Sequence, residues 1–265
     1  MTAADPQPAL ESGGWRLLAA SQRGRAHVSR NQPNQDAWLA ASRLDGGLVL
    51  AAADGAGSAR HSQIGSRIAV ATVVNTLTGS QVPTDADGAR SLVIHALKTA
   101  RRVLGAEARR RGHSVRDYAS TLLMCLVTEK AVTALQLGDG ALVVHDGTAL
   151  TRLARPPTAR FAGETVFLTS PEALDAVRID CIPADGVTGI ALLTDGLEPV
   201  ATSLGNGDPF EPFFAPLFAF AEGAADDALQ ASRSASLQGL LASDRVTSRT
   251  HDDTTLLLAA RSLPG

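Results

Sequence analysis

Asp54, Asp139, Asp195 and Asp252 each stand beside a glycine or another acid, and most of them close an apolar run: LVLAAADGAGS, VTALQLGDGAL, TGIALLTDGLE and RTHDDTTLLLAA. A carboxylate placed where a strand rich in Val, Leu and Ala stops lies at the rim of a sheet. The glycine beside it lets the backbone turn and lets an ion come close. The four acids are far apart in the chain, so only a folded sheet can bring them together. Bare like charges so placed repel unless protons or divalent cations compensate them. The chemistry this set suggests is a hard-cation site. Oxygen ligands suit Mg²⁺ and Mn²⁺, whereas zinc would favour the His and Cys that are scarce here, 6 and 2 respectively. A single Asp-Gly also makes an ordinary turn, so the reading rests on the set and not on any one member.

The elements needed to position these acids follow from periodicity. Short apolar runs at 15–21, 36–42 and 47–53 predict strands, with Asp45-Gly46-Gly47 as a hairpin turn. After Asp54 the spacing becomes helical, with Ile64, Ile68, Ala71, Val74 and Leu77 on one stripe. A second helix is expected after Asp85 and Asp87, with Leu92, Ala96, Ala100 and Val103 on one face and its end near Gly112. From Ser120 to Asp195 the signal is β: STLLMCLVT, AVTALQLGD, ALVVHDG, TVFLT, VRIDCI and GIALLTD. Two more helices, around 211–222 and 226–242, precede a last strand from Thr254 to Ala260. Amphipathic helices must bury a face, so the economical arrangement packs helix pairs outside two stacked sheets. The Pro- and Phe-rich stretch 207–220 interrupts this regularity and is expected to be a packing loop.

A chain of 265 residues, 45% hydrophobic and 19% charged, can bury one large core. We expect a loose tail over residues 1–13 and one domain over 14–262. A net charge of −3 argues against nucleic acid or an anionic membrane as partner. Arg109, Arg110 and Arg111 are expected to complement a helix C-terminus. Cys125 and Cys181 lack metal or redox spacing and suit free thiols in the cytoplasm. No secretory leader or membrane-length apolar window is evident.

Six motifs then occur in order: N-Q-D-A (34–37), D-G-x-G (54–57) with G-x-x-x-A (65–69), S-T-L (120–122), L-G-D-G (137–140), T-D-G-L (194–197) and D-D-x-T (252–255). Together, from about Gly24 to Ala260, they resemble the PPM-type, protein phosphatase 2C-like, metal-dependent serine/threonine phosphatases, in a compact bacterial form. The resemblance implies an α+β fold, a four-layer α-β-β-α sandwich of two antiparallel sheets flanked by helix pairs. It implies hydrolysis of phosphoserine and phosphothreonine in proteins by a metal-activated water, opposing a bacterial kinase. The expected partners are a phosphorylated protein substrate and a cognate kinase, and the chain itself is expected to be a monomer.

By the same resemblance Asp54 would bridge two Mn²⁺ or Mg²⁺ ions, with the Gly55 carbonyl completing one and Asp195 and Asp252 holding the other. Asp36 would act through a water on the ions, and Asp139 would contribute to a third, weaker ion beside Asp195. Asp253, where relatives carry Asn, would order its loop, and Ser120 and Thr121 would satisfy nearby backbone groups.

This chain also departs from the pattern. The position expected for a phosphate-binding Arg is Asn31, so His27 and Arg30 are the candidates, reaching the phosphate if the loop bulges at Pro33. Gln35 replaces a family Glu, which should weaken the second ion. Ala56 stands where some relatives carry a His that is a candidate general acid, so the leaving group must take its proton from water or elsewhere. His61 and His251 are expected to be surface or capping residues. Pro199 stands where an acid is usual, with Glu198 one position early. Gln35, Ala56 and Pro199 leave a competing function, a weakly active or inactive module that binds a phosphorylated partner. Because the sequence does not define the substrate groove, a hydrolase of small phosphate esters is a third.

Overall fold

A computed structural model of the chain describes residues 11, 12, 14–156, 165–203, 205–223 and 227–261. Its strands are β1 (Glu11–Ser12), β2 (Trp15–Gln22), β3 (Ala37–Ser42), β4 (Leu48–Ala53), β5 (Leu122–Val127), β6 (Ala131–Leu137), β7 (Ala141–His145), β8 (Leu150–Leu153), β9 (Arg178–Pro183), β10 (Gly189–Leu193) and β11 (Thr254–Ala260). Its helices are α1 (Arg25–Ser29), α2 (Ser62–Thr78), α3 (Ala86–Arg111), α4 (Ala173–Ala176), α5 (Glu198–Ala201), α6 (Glu211–Glu222), α7 (Asp227–Ala242) and α8 (Asp244–Thr247). Among the described residues one sheet has the order β1-β2-β11-β10-β7-β8 and the other β3-β4-β5-β6-β9, with every pairing antiparallel.

The central strands are buried on both faces, which is why they read as unbroken apolar runs. Period two divides their side chains. In β4, Val49, Ala51 and Ala53 face α2 and α3, while Leu48, Leu50 and Ala52 face the other sheet. In β11, Leu257 and Ala259 point between the sheets, and Leu256, Leu258 and Ala260 point towards α6 and α7. Three apolar clusters therefore separate four layers, the expected α-β-β-α sandwich. Burying each of its leucines contributes roughly 1.5–3 kcal/mol.

Local signals placed α3 well. The Asp85 carboxylate accepts the Gly88 N–H at 2.7 Å, and Gly112 ends the helix at φ 69°. Arg110 and Arg111 both pair with Glu107 in the last turns. The faces of the first two long helices were placed less well. α2 buries Ser62, Gly65, Ser66, Ala69, Val70, Val73, Val74 and Leu77, leaving Ile64 and Ile68 only half-buried. Val74 and Leu77 of the expected stripe are buried, whereas its first half is replaced by Ser62, Gly65, Ser66 and Ala69, small residues that hydrophobicity alone does not select. In α3 the buried face runs through Ala89, Val93, Ala96, Leu97, Ala100, Leu104 and Ala108, and Val103 is exposed.

Three other expectations change. The described residues 165–169 form no strand: Leu168 donates its N–H to the Ser120 carbonyl and packs in the core as a turn. β8 was not anticipated, because LTRL carries too little apolar pattern. The Pro- and Phe-rich stretch is largely helical: α6 starts next to Pro212, contains Pro216 and sinks Phe214, Leu217 and Phe218 into the outer core. Within the expected tail, Glu11 and Ser12 pair with Arg16 and Trp15, and the remainder of residues 1–13 except these two lies outside the described residues.

Candidate metal centre

Register brings the acids to one rim. β3 and β4 pair Ala37 with Ala53, so one step further Asp36 stands opposite Asp54. β10 and β7 pair Leu193 with Ala141, so two steps further Asp195 stands opposite Asp139. β10 also pairs Leu193 with Leu256, which sets Thr194 beside Thr255 and the turn at Asp252 and Asp253. Stacking the two sheets closes these ends on one another. One carboxylate oxygen from each of Asp54, Asp139 and Asp195 lies within 4.8 Å of the other two. Asp139 is framed by Gly138 and Gly140, both at φ 87°, a conformation that L side chains rarely adopt. Its carboxylate also accepts the Thr165 hydroxyl at 2.8 Å.

Asp36 sits behind this trio, 6% exposed. One of its oxygens accepts the hydroxyls of Thr194 (2.8 Å) and Thr255 (2.7 Å), while Oδ1 is buried without a hydrogen-bond partner among the described residues. These two threonines were overlooked as site residues, although both lie inside the quoted motifs. Asp252 takes the other side. It groups with His27 and Asp253, with ligand atoms within 4.8 Å of one another, and not with the trio. A cavity of about 210 Å³ runs between, lined among others by His27, Arg30, Gln35, Asp54, Gly55 and Asp252.

Electrostatics explains what this rim demands. Burial pushes the Asp54 carboxyl far above its usual range, and the charges of Asp36, Asp195 and Asp252 add to the rise. Asp195 is raised to about 7, by burial first and then by Asp139, Asp252 and Glu198. Burial also raises Asp36, against the hydroxyl donors that favour its charge. Glu198 is raised by burial as well, although Arg152 holds it by a 2.8 Å ion pair. Without compensating cations, burial and mutual repulsion both oppose ionising these acids together. An oxygen-only donor set, a buried orphan oxygen on Asp36 and mutual repulsion all fit divalent ions.

The backbone around the rim is held by side chains. The Asp54 N–H donates to Thr121 Oγ1 at 2.9 Å and the Asp54 carbonyl accepts the Thr121 N–H at 2.8 Å, as expected of Thr121. The Ser120 hydroxyl instead lacks a hydrogen-bond partner among the described residues, and the Ser120 backbone bridges Gly55. Asp253 orders the loop, as expected: its two oxygens accept the Gly24 and Gln35 N–H groups, each at 2.6 Å. Close approach here needs glycine. A Cβ on Gly196 would lie 2.0 Å from the Asp253 carbonyl oxygen.

His27 and Arg30 reach the cavity differently from the bulge expected at Pro33. Residues 25–29 form α1, Arg30 caps it, and the chain reverses at Asn31 with φ 53°. His27 and Arg30, three apart on this short helix, then share one side. His61 is half-buried at the N-cap position of α2, one of the two expected roles; it caps through its backbone carbonyl, while its ring stacks on His113 at 4.4 Å. His251 is exposed at the cavity edge.

Comparison with known proteins agrees with this geometry. A family model described as protein phosphatase 2C matches residues 23–242. Serine/threonine-protein phosphatase 3 of Escherichia coli (strain K12) is 32% identical over 256 residues, which cover 92% of this chain and 98% of that protein. Serine/threonine phosphatase Stp1 from Staphylococcus aureus superposes with a TM-score of 0.66 at 14% identity, covering 100% of both chains. The catalytic domain of the serine threonine protein phosphatase PstP, solved in complex with 2 manganese ions, superposes with a TM-score of 0.61 at 19% identity over 93% of this chain and 97% of that one. Matched along most of its length by the family model and by a relative about a third identical, the chain belongs to the protein phosphatase 2C family.

Proposed function

We propose that this protein hydrolyses phosphoserine and phosphothreonine in proteins with the help of two Mn²⁺ or Mg²⁺ ions. The observation that carries the reading is the convergence of Asp54, Asp139 and Asp195 within 4.8 Å beside a cavity that Asp252, Gly55 and Arg30 line. Asp54 would bridge the ions, with the Gly55 carbonyl, Asp195 and Asp252 as further ligands and Asp36 acting behind them. Asp139 would serve a third, weaker position. Such ions, when bound, supply the charge that ionises a water near neutral pH and compensates the phosphoryl oxygens. The chain's own part is to hold the phosphate in line. Arg30 brings a cation to the cavity for the phosphate oxygens, and His27 stands beside it.

Turnover of p-nitrophenyl phosphate and of a phosphothreonine peptide, with Mn²⁺, Mg²⁺ or EDTA, tests this. Metal-dependent turnover of the peptide is expected; peptide binding without turnover would instead favour a silent binding module. Asp139→Ala should lower kcat less than Asp54→Ala does, and equal loss in both would overturn that ranking. Arg30→Ala is expected to raise KM about tenfold while kcat changes little, because it removes ground-state binding; an unchanged KM counts against the assignment. We further place the enzyme in the cytoplasm as a single-domain monomer over residues 14–262, acting on a phosphoprotein and opposing a kinase. The free Cys125 and Cys181 thiols support a reducing compartment.

A further inference from the structure

We infer that His27, oriented by the buried carboxylate of Asp253, donates the proton to the seryl or threonyl oxygen that leaves phosphorus; this rests on the phosphatase reading above. Asp253 is 1% exposed, yet two backbone N–H groups donate to it and His27 Nδ1 makes an ion-pair contact with it. Gly24 N–H donates to Oδ1 at 2.6 Å, Gln35 N–H donates to Oδ2 at 2.6 Å, and His27 Nδ1 lies 2.9 Å from Oδ2. An asparagine there would offer a single acceptor oxygen, so the acid is matched to this convergence. His27 itself is 6% exposed, on the inward side of α1, and its ring lines the cavity with Asp54, Gly55 and Asp252. With Nδ1 turned to a carboxylate, the nitrogen left to serve the cavity is Nε2. A third group that fixes the imidazole is how a proton-transferring histidine is held in one tautomer and orientation.

The reaction needs such a donor. An alkoxide is a poor leaving group, and the residue after the Asp54-Gly55 turn is Ala56, which carries no proton. Of the other side chains on the cavity, Arg30 does not deprotonate, Gln35 is not an acid, and Asp54 and Asp252 are committed as ligands. His251 also lines the cavity, but it is exposed and its ring has no hydrogen-bond partner among the described residues. In the step itself the phosphorus–oxygen bond to Ser or Thr breaks as the water oxygen bonds to phosphorus. His27 acts here as the imidazolium, with Nδ1 against Asp253, and its Nε2 proton passes to the leaving oxygen to give the free hydroxyl. The proton released by the attacking water to solvent is balanced by the one that restores Nε2–H.

Leaving-group dependence tests this. p-Nitrophenolate departs without a proton, whereas a threonine alkoxide does not. With saturating Mn²⁺, His27→Gln is expected to lower kcat for a phosphothreonine peptide about 100-fold and kcat for p-nitrophenyl phosphate by less than about fivefold. Asp253→Asn should show the same selectivity to a smaller degree, about tenfold on the peptide. If Asp253→Asn fails to fold by circular dichroism, His27→Gln still decides, since it leaves the two backbone donors of Asp253 in place. Equal loss on both substrates, an effect confined to KM, or selective loss in His251→Ala in place of His27→Gln would overturn the inference. Absence of all wild-type turnover would sink the phosphatase reading and the inference with it, whereas those other outcomes sink the inference alone.

Discussion

Asp54→Asn is expected to reduce metal-dependent turnover at least about 1,000-fold, on the order of 4 kcal/mol in the barrier, and to leave the fold intact. The loss follows from position: Asp54 is the acid shared between the trio with Asp139 and Asp195 and the cavity that Asp252 lines. The intact fold follows from the backbone. Both hydrogen bonds between residue 54 and Thr121 use the Asp54 main chain, so an amide side chain does not disturb them. The same substitution removes a buried acid that its neighbours repel, so the metal-free variant should melt no lower than wild type at pH 8. Added Mn²⁺ should stabilise wild type strongly, since a ligand at about 100 times its dissociation constant contributes about 2.7 kcal/mol, and should stabilise the variant much less. Wild-type turnover in Asp54→Asn, or an equal Mn²⁺ shift in both proteins, would contradict the bridging assignment.

In EDTA the protein should become less stable as pH rises from 5 to 8, the reverse of what paired carboxylates produce. Asp195 has a folded value of about 7 against 3.8 for a free aspartate, and Asp54 and Asp36 are also raised. Between those limits the folded protein holds protons that the unfolded chain has released. The stability they contribute is therefore fully present below about pH 4 and is lost as pH climbs through the folded values. Each such group changes stability by about 1.4 kcal/mol per pH unit inside its window. Mn²⁺ takes over from protons, so its stabilising effect should grow with pH and its binding should release protons. His61 works in the opposite sense, because burial and the neighbouring His113 hold its imidazole below the usual value. It is common to wild type and Asp54→Asn, so the difference between their pH profiles isolates the acidic cluster. Thermal melts in EDTA and in Mn²⁺ at pH 5, 6, 7 and 8 provide the check. A wild-type midpoint that rises with pH in EDTA, with no difference from Asp54→Asn, would refute the compensation argument.

Much of this was legible in the chain. The apolar runs that end on Asp54 and Asp195 carry their own strand and turn signals, because side-chain alternation and glycine's freedom act between near neighbours. The ends of α3 were legible for the same reason: an Asp85 cap and a Gly112 stop are local events. The layers followed from the order of those elements, since each apolar face must be covered. What lay beyond the sequence is the meeting of partners that are remote along the chain. Asp36 accepts from Thr194 and Thr255, and Asp253 binds Gly24 and Gln35, across separations of 158 to 229 residues. Such contacts have no local signature; they depend on how two sheets stack and on which strand ends share a rim. The faces of α2 and α3 turned for a related reason, as small residues pack where helices meet sheets and hydrophobicity alone does not find them. Local chemistry in the sequence determined the strands, the turns and the acids they end on, while the packing of distant layers decided which acids meet and which buried carboxylate faces His27 at the cavity.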